Sequence, residues 1–488
     1  MKKNIFFFLQ ISVFLCLACS LWGAEFALAP NINGYYDVSD EAGSFSVKEV
    51  YYDRGETVLG KEVYSGENVT AKIPVSALKP GGDYCIDIKG KTKYFRTDCH
   101  ITATLPRDEF LSPLEKNLED GRKLEMDRKI WYADYVFSPD MFGDRGDVYC
   151  GDIALMSAVA SAAAYSHDYT GENIRKYLKM FYDQAGFENT EYYHYDKVAK
   201  AKEDGDRSLF AIGHRKINTG GKTFNLICIT YRGTVRGDWF GNMKIGMGDY
   251  HEGFETAAKD VLAELDRYTE KYGLREKENN KICVFGHSRG GAVANLVSKF
   301  LENCPYADRS AIYGYTIASP NTTTLDDTSA SVFNFINTED FVPVIPYWDG
   351  WGRFGEELRS HQMGQKVLDK TASDFREATT YRYVGFSRKE IDTLVKELYR
   401  IAPNVNDFYT VKFNRSAKDG GRTAYDVCNL LVSMSLKPTI KEYLLIPNEF
   451  NKIAAIMIAR NIKDHKIINA HSLEYYYFLI KNFNESLD

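Results

Sequence analysis

Past its opening segment, the chain has no uninterrupted apolar stretch of about 20 residues, the length a helix needs to cross a bilayer. A mean hydropathy of −0.36 likewise excludes a protein of many membrane spans. There is no excess of positive charge: 61 Lys and Arg stand against 67 Asp and Glu. Electrostatics therefore make no case for nucleic acid as a partner. Beyond the opening segment neither C-x-x-C nor H-E-x-x-H occurs, so no metal and no cofactor is expected. Internal repeats and low-complexity tracts are also missing.

Cysteine is sparse and odd in number. After residue 24 the thiols are Cys85, Cys99, Cys150, Cys228, Cys283, Cys304 and Cys428, a set that cannot pair completely within one chain. Cys228 and Cys283 fall in apolar runs and read as buried thiols. Cys85 and Cys99 are the best candidates for a disulfide, because both fall in a small β-rich region of a chain that reads as exported.

That reading of export comes from residues 1–24. Lys2 and Lys3 precede an apolar run from Ile5 to about Leu17, too short and wrongly flanked for a spanning helix but suited to a signal peptide. Cleavage fits Ala18-Cys19-Ser20 or the region of Gly23-Ala24. Leu17-Ala18-Cys19 also resembles a bacterial lipobox, although Cys16 stands where Leu is usual. The expected location is outside the cytoplasm, secreted, periplasmic or on the envelope, with a lipid anchor at Cys19 as the alternative to free release.

Residues 25–105 alternate in the manner of β-strands, and Leu78-Lys-Pro-Gly-Gly-Asp-Tyr84 resembles the tyrosine-corner segment of fibronectin type III domains. A small β-sandwich-like domain is expected there, and a charged linker or wrapping segment over 106–147. From 148 to 370 strands alternate with helices, which implies a mainly parallel central sheet covered on both faces. Strands are expected at 224–231, 281–285, 312–317 and 332–336, with an amphipathic helix from Phe254 to Tyr268. Residues 371–488 read as a helical C-terminal part. Ser387-Arg-Lys-Glu390 is a capping box there, with further helices near 422–436, near 448–463 and from Ser472.

The chemistry centres on Gly286-His-Ser-Arg-Gly290, a G-x-S-x-G between the apolar run 281–285 and a helical stripe of Val293, Leu296, Val297 and Phe300. The motif alone arises by chance. In this context it reads as a nucleophile elbow, in which Gly286 and Gly290 permit a sharp turn that lifts the Ser288 hydroxyl clear. The following helix aims its first amides at whatever Ser288 attacks.

A nucleophilic serine needs a base and an acid to orient that base. In the order of an α/β-hydrolase both follow the serine. Asp340, just past the apolar run 332–336, is the acid candidate, with Glu339 as a lesser rival. His361, His465 and His471 are the remaining histidines. His471 is preferred, because it lies between apolar and small residues and an aromatic helix opened by Ser472. His251 and His287 read as structural, with His287 pointing away from the site.

Tyr231-Arg-Gly-Thr234, Asp238-Trp239, His251-Glu-Gly-Phe254, Gly286-His-Ser-Arg-Gly-Gly291, Ala318-Ser-Pro320 and Asn337-Thr-Glu-Asp-Phe-Val-Pro343 occur in one order. Their order and spacing resemble the fungal-type, class 3 lipase family, over about 150–350 plus His471. The resemblance implies an α/β-hydrolase fold and esterolysis. It assigns Ser288, Asp340 and His471 as the triad, with the backbone N–H groups of Thr234 and Arg289 as the oxyanion hole. Arg289 departs from the family, which usually carries Leu there, and a cationic side chain beside the nucleophile would alter substrate preference.

Trp239, Phe240, Met243 and Ile245, together with Tyr347, Trp348, Trp351 and Phe354, suit a flap or acyl pocket, with ordinary core packing as the alternative. The expectation is an exported hydrolase of lipid or other carboxylic esters, working through an acyl-enzyme at a membrane surface or lipid interface. Alternatives are a non-catalytic surface or binding protein on the same scaffold, argued by the extra β-rich region, and a peptidase or thioesterase with the same triad.

Overall fold

A computed structural model describes residues 26–28, 35–39, 43–53, 56–68, 71–89, 91–107, 130–166, 171–195, 209–234, 242, 244–328, 331–379, 382–401, 403–405 and 466–487. The export signal with Cys19, Asp238, Trp239, Phe240, Met243, Cys428, His465 and the helices expected near 422–436 and 448–463 lie outside the described residues.

The strands in chain order are β1 (Phe26–Leu28), β2 (Tyr35–Ser39), β3 (Gly43–Asp53), β4 (Glu56–Asn68), β5 (Ala71–Pro74), β6 (Asp83–Ile88), β7 (Lys91–Thr97), β8 (His100–Pro106), β9 (Ile130–Val136), β10 (Glu188–Tyr193), β11 (Phe210–Thr219), β12 (Lys222–Tyr231), β13 (Asn280–His287), β14 (Ile312–Ile317), β15 (Val332–Ile336) and β16 (Glu356–Arg359). The described helices are α1 (Gly151–Ala163), α2 (Lys176–Gln184), α3 (Glu252–Lys271), α4 (Arg289–Leu301), α5 (Gln365–Thr379), α6 (Arg388–Ile401), α7 (Lys466–His471) and α8 (Leu473–Leu487).

The sheet that carries the site runs in the order β10-β11-β12-β13-β14-β15-β16. From β12 to β16 every neighbour is parallel, while β10, β11 and β12 are antiparallel. Its central strand β13 is buried at every residue, as the unbroken apolar run predicts for a strand covered on both faces. On one face α3 packs Phe254, Ala257, Val261 and Leu265 beside Val293, Leu296 and Val297 of α4. On the other, α1 and α8 enclose Phe285, Tyr315 and Phe335. This mixed sheet with helices on both faces fits the α/β-hydrolase architecture.

The sequence reading missed the hairpin of β11 and β12. Its turn, Gly220-Gly221, has both residues at positive φ (60° and 70°), the signature of a tight two-residue hairpin. Charges in β11 (His214, Arg215 and Lys216) obscured the alternation.

Two segment boundaries need correction. Residues 130–136, placed in the linker, form β9 and pair antiparallel with β8. Their apolar side chains, with those of β8, join the core of α1 and α2 rather than that of the preceding strands. The amino-terminal β-rich region thus closes at β7, near residue 97, instead of 105. It consists of a five-stranded sheet, β1-β7-β6-β3-β4, and the β2-β5 pair, which share a core of Tyr36, Ile73, Val47, Ile86 and Phe95. The Tyr84 hydroxyl accepts the Lys79 N–H at 2.8 Å, the bond a tyrosine corner requires. Asn218 on β11 ties this region to the larger sheet, donating to the Val50 carbonyl and to Asp83 at 2.8 Å each.

Cys85 and Cys99 are free thiols, not a disulfide. Cys85 sits mid-strand opposite Tyr94, whereas Cys99 lies past the end of β7, where its Sγ faces the Thr97 carbonyl. Both halves of the capping box form: Ser387 N–H meets Glu390 at 2.9 Å and Glu390 N–H meets the Ser387 hydroxyl at 3.3 Å. No described helix is long and apolar enough to cross a membrane.

Candidate active site

The turn from β13 into α4 leaves Ser288 at φ 58°, ψ −129°, a conformation that costs a non-glycine residue about 1–3 kcal/mol. The surroundings impose it. Ser288 N–H is bonded to the Ile317 carbonyl at the end of β14 (2.9 Å). A side-chain carbon on Gly286 would lie 2.1 Å from the Gly290 carbonyl oxygen, and one on Gly290 would lie 2.5 Å from that of Tyr231. Only glycine fits at either place. Among buried neighbours from His287 to Gly290, Ser288 alone is partly exposed. The elbow presents a hydroxyl at the amino-terminal end of a 13-residue helix.

Asp340 follows β15 and is buried, with its Oδ2 2.7 Å from His471 Nδ1. Its side chain is 0% exposed against 18% for His471, so the acid is sealed while the imidazole keeps an open edge. The Tyr476 hydroxyl donates to the same Oδ2 at 3.1 Å, and Val342 N–H reaches Oδ1 at 3.0 Å. Tyr476 in turn accepts the Asn337 N–H at 2.9 Å. Burial, with Asp340 beside it, raises the Tyr476 pKa well above its ordinary value, so the hydroxyl stays a donor. With Nδ1–H given to a carboxylate, His471 leaves Nε2 as its basic nitrogen. Glu339 makes no bond to His471; its backbone carbonyl accepts Phe386 N–H. His361 is exposed in a short turn.

His287 does not point away into packing. Its Nε2 is 2.9 Å from the His471 carbonyl oxygen and its Nδ1 is 2.8 Å from the Tyr165 hydroxyl. Because a carbonyl only accepts, Nε2 carries the hydrogen and Nδ1 accepts from Tyr165. Burial, then the charge His471 can carry, pushes the His287 pKa well below the usual histidine value. Asn337 secures the preceding carbonyl, that of Ala470, at 3.0 Å. Two successive carbonyls of the histidine segment are therefore held, one from the elbow and one from the end of β15.

Thr234 and Arg289 meet through a residue the sequence reading overlooked. Asn242 donates from Nδ2 to the Thr234 hydroxyl at 2.9 Å and accepts from Arg289 Nη1 at 2.8 Å. The Arg289 side chain is buried, with its guanidinium 5.7 Å from the centre of the Phe254 ring. The expectation of a cation beside the nucleophile that alters substrate preference meets a side chain turned inward, towards Asn242. His251, read as structural, is buried and stacked on Phe254, and its Nε2 lies 3.2 Å from the Asn242 carbonyl.

Of the expected apolar mouth, Ile245 and Phe354 are core residues. Trp348 is buried against Tyr347, with ring centres 4.5 Å apart, and Trp351 stands edge-on to His251. Away from the site, His194, Asp260 and Glu264 hold ligand-type atoms within 4.8 Å of one another. His194 already pairs with Asp260, and Glu264 with Arg267.

The sheet, the strained serine between strand and helix, and the buried Asp–His pair beside it fit an α/β hydrolase. Within that class, residues 224–350 match the family model described as lipase (class 3), and this segment carries the chain's resemblance to that family. No curated protein matches the chain. Similar solved structures include the triacylglyceride lipase of Rhizomucor miehei, at 17% identity, 43% of this chain, 81% of that one and TM-score 0.27. Lip2 lipase from Yarrowia lipolytica is 19% identical, covering 42% of this chain and 77% of its own, with TM-score 0.28. Lipase II from Rhizopus niveus is 15% identical over 43% and 81%, also with TM-score 0.28.

Proposed function

We propose that this chain is a serine hydrolase of carboxylic esters, lipid esters above all. The observation that carries the reading is the His471–Asp340 pair, 2.7 Å apart, whose histidine backbone is bonded to the residue immediately before the strained Ser288. The class 3 lipase match over 224–350 supports lipid esters as the substrate class.

In this reading His471 Nε2 takes the Ser288 proton as the oxygen attacks the ester carbonyl. The backbone N–H groups of Thr234 and Arg289 receive the oxyanion. As the intermediate collapses, the alcohol leaves with the proton from Nε2, and water, activated by the same nitrogen, releases the acid and restores Ser288. Asp340 holds the imidazole in the tautomer that keeps Nε2 basic. The apolar run after Lys2 and Lys3 supports export, and a lipid interface is then the place of work.

The test is a panel of p-nitrophenyl esters and glycerolipids with purified wild type and Ser288→Ala. Wild type should hydrolyse members of the panel. Ser288→Ala should fold normally and lose about 10⁶-fold in kcat. Hydrolysis undiminished in well-folded Ser288→Ala would overturn the assignment.

A further inference from the structure

A single buried guanidinium joins the loops that follow β14 and β15. Arg353, on the segment leading into β16, has a side chain only 2% exposed, and each of its three nitrogens faces an acceptor. Nη2 reaches the Pro343 carbonyl and the Asn321 amide oxygen, the latter at 2.6 Å. Nη1 meets Glu357 at 2.5 Å, and Nε lies 3.5 Å from the Pro320 carbonyl. Arginine has no acceptor, so Asn321 turns its oxygen to Arg353 and its amide nitrogen to the Pro346 carbonyl, 2.8 Å away. Both loops bear on the site. The first begins at Ile317, whose carbonyl accepts the Ser288 N–H, and a side-chain carbon on Gly291 would lie 3.2 Å from the Ser319 Cα of that loop. The second carries Asp340, and Val342, the residue before Pro343, gives its N–H to Asp340 Oδ1 at 3.0 Å. The main chain beside Arg353 hangs in turn on the helix that Ser288 opens. Asn295 of α4 accepts the Phe354 N–H at 3.2 Å and donates to the Phe354 carbonyl at 2.8 Å. Replacing a buried ion pair by apolar side chains of similar volume is often neutral or stabilising, so stability alone does not account for a charge at this place.

We propose that Arg353 is a positioning residue for the acid: it pins the Pro343 carbonyl, and through Asn321 the Pro346 carbonyl, so that the turn after Asp340 keeps the carboxylate aimed at His471 and in register with the nucleophile helix. The proposal rests on the ester-hydrolase reading. The chain of contacts runs from Arg353 to the Pro343 carbonyl, along one residue of backbone to the Val342 N–H, and from there to Asp340 Oδ1.

Arg353→Met, made in the wild type and in Asp340→Asn, separates this role from simple support. Methionine fills much of the space and donates nothing. With folding confirmed by Tm, Arg353→Met in the wild type should leave KM unchanged and lower kcat about 10- to 100-fold, the cost of a reacting group misplaced by about 1 Å. In Asp340→Asn it should cost nothing more, because an acid that no longer selects the tautomer has no aim left to lose. A purely structural loss would appear by the same factor in both backgrounds. Wild-type kcat in folded Arg353→Met, or equal losses in the two backgrounds, would overturn the proposal and leave the hydrolase reading intact. If Arg353→Met fails to fold, Asn321→Ala, which removes the relay to the Pro346 carbonyl, supplies the same comparison with and without Asp340→Asn. A wild type that neither hydrolyses the ester panel nor reacts with a phosphonate ester would overturn the reading and the proposal together.

Discussion

His287 Nε2 is bonded to the backbone carbonyl of His471 at 2.9 Å, across 184 positions of sequence. The residue next to Ser288 thus holds the main chain of His471, the base of the proposed mechanism. The turn that exposes Ser288 also buries His287, so in the proposed mechanism one turn sets the nucleophile and anchors the base. The Tyr165 hydroxyl completes the arrangement at His287 Nδ1.

Replacing His287 by Leu should therefore lower kcat by about 10- to 100-fold, because misplacing a reacting group by about 1 Å costs that much. Tyr165→Phe, which removes only the bond to Nδ1, should cost less. Steady-state kinetics with Tm as the control for folding decides the point. Full activity in stable His287→Leu would show that the bond to His471 has no catalytic consequence.

Histidine identity is testable by paired variants. His471→Ala should be as damaging as Ser288→Ala, and the double variant no worse than either, because the two act as a unit. His361, exposed on its turn, should tolerate alanine within about tenfold, or ~1.4 kcal/mol of barrier. Inactive His361→Ala with working His471→Ala would refute the assignment.

Asp340→Asn should preserve the fold yet drop kcat roughly 10⁴-fold, since an amide no longer selects the tautomer with a basic Nε2. Tyr476→Phe removes a hydrogen bond to the same oxygen and should cost about 1.5–3 kcal/mol, divided between stability and barrier. Urea unfolding and kcat measured on the same samples will apportion it.

The buried neutral histidines make stability depend on pH. The folded-state pKa values of His251, at about 3, and His287 lie below that of an unfolded histidine, near 6.5. At pH below 6.5 the unfolded chain therefore binds more protons, so their contribution is complete above 6.5 and is lost as pH falls towards the folded values. Each histidine should remove about 1.4 kcal/mol per pH unit in that window. Unfolding free energies at pH 7, 6 and 5 should fall accordingly, and less steeply for His251→Gln. A flat profile from pH 7 to 5 would contradict the burial of these rings in neutral form.

Much of this was legible in the residues alone. The strands at 312–317 and 332–336 coincide with β14 and β15, because unbroken apolar runs between turn residues have few other ways to be buried. The sequence also singled out Ser288, Asp340 and His471, the residues of the proposed triad, for the same kind of reason, and the structure pairs the last two. An elbow needs small residues on both sides of its serine, a strand end carries its acid in the next few positions, and a helix cap follows the histidine. Each of these is a local requirement written in neighbouring residues.

Tertiary structure decided what sequence spacing could not. Charges at His214, Arg215 and Lys216 hid a strand, because Arg215 is buried by donating to the Ala185 and Pro80 carbonyls, partners no local pattern announces. Arg289 read as a cation beside the nucleophile and is turned inward onto Asn242. His287 read as inert and holds the His471 carbonyl. In each case the role depends on which donor meets which acceptor after segments tens to hundreds of residues apart have packed. A hydrogen bond is made over about 3 Å, and only the folded chain brings those atoms that close.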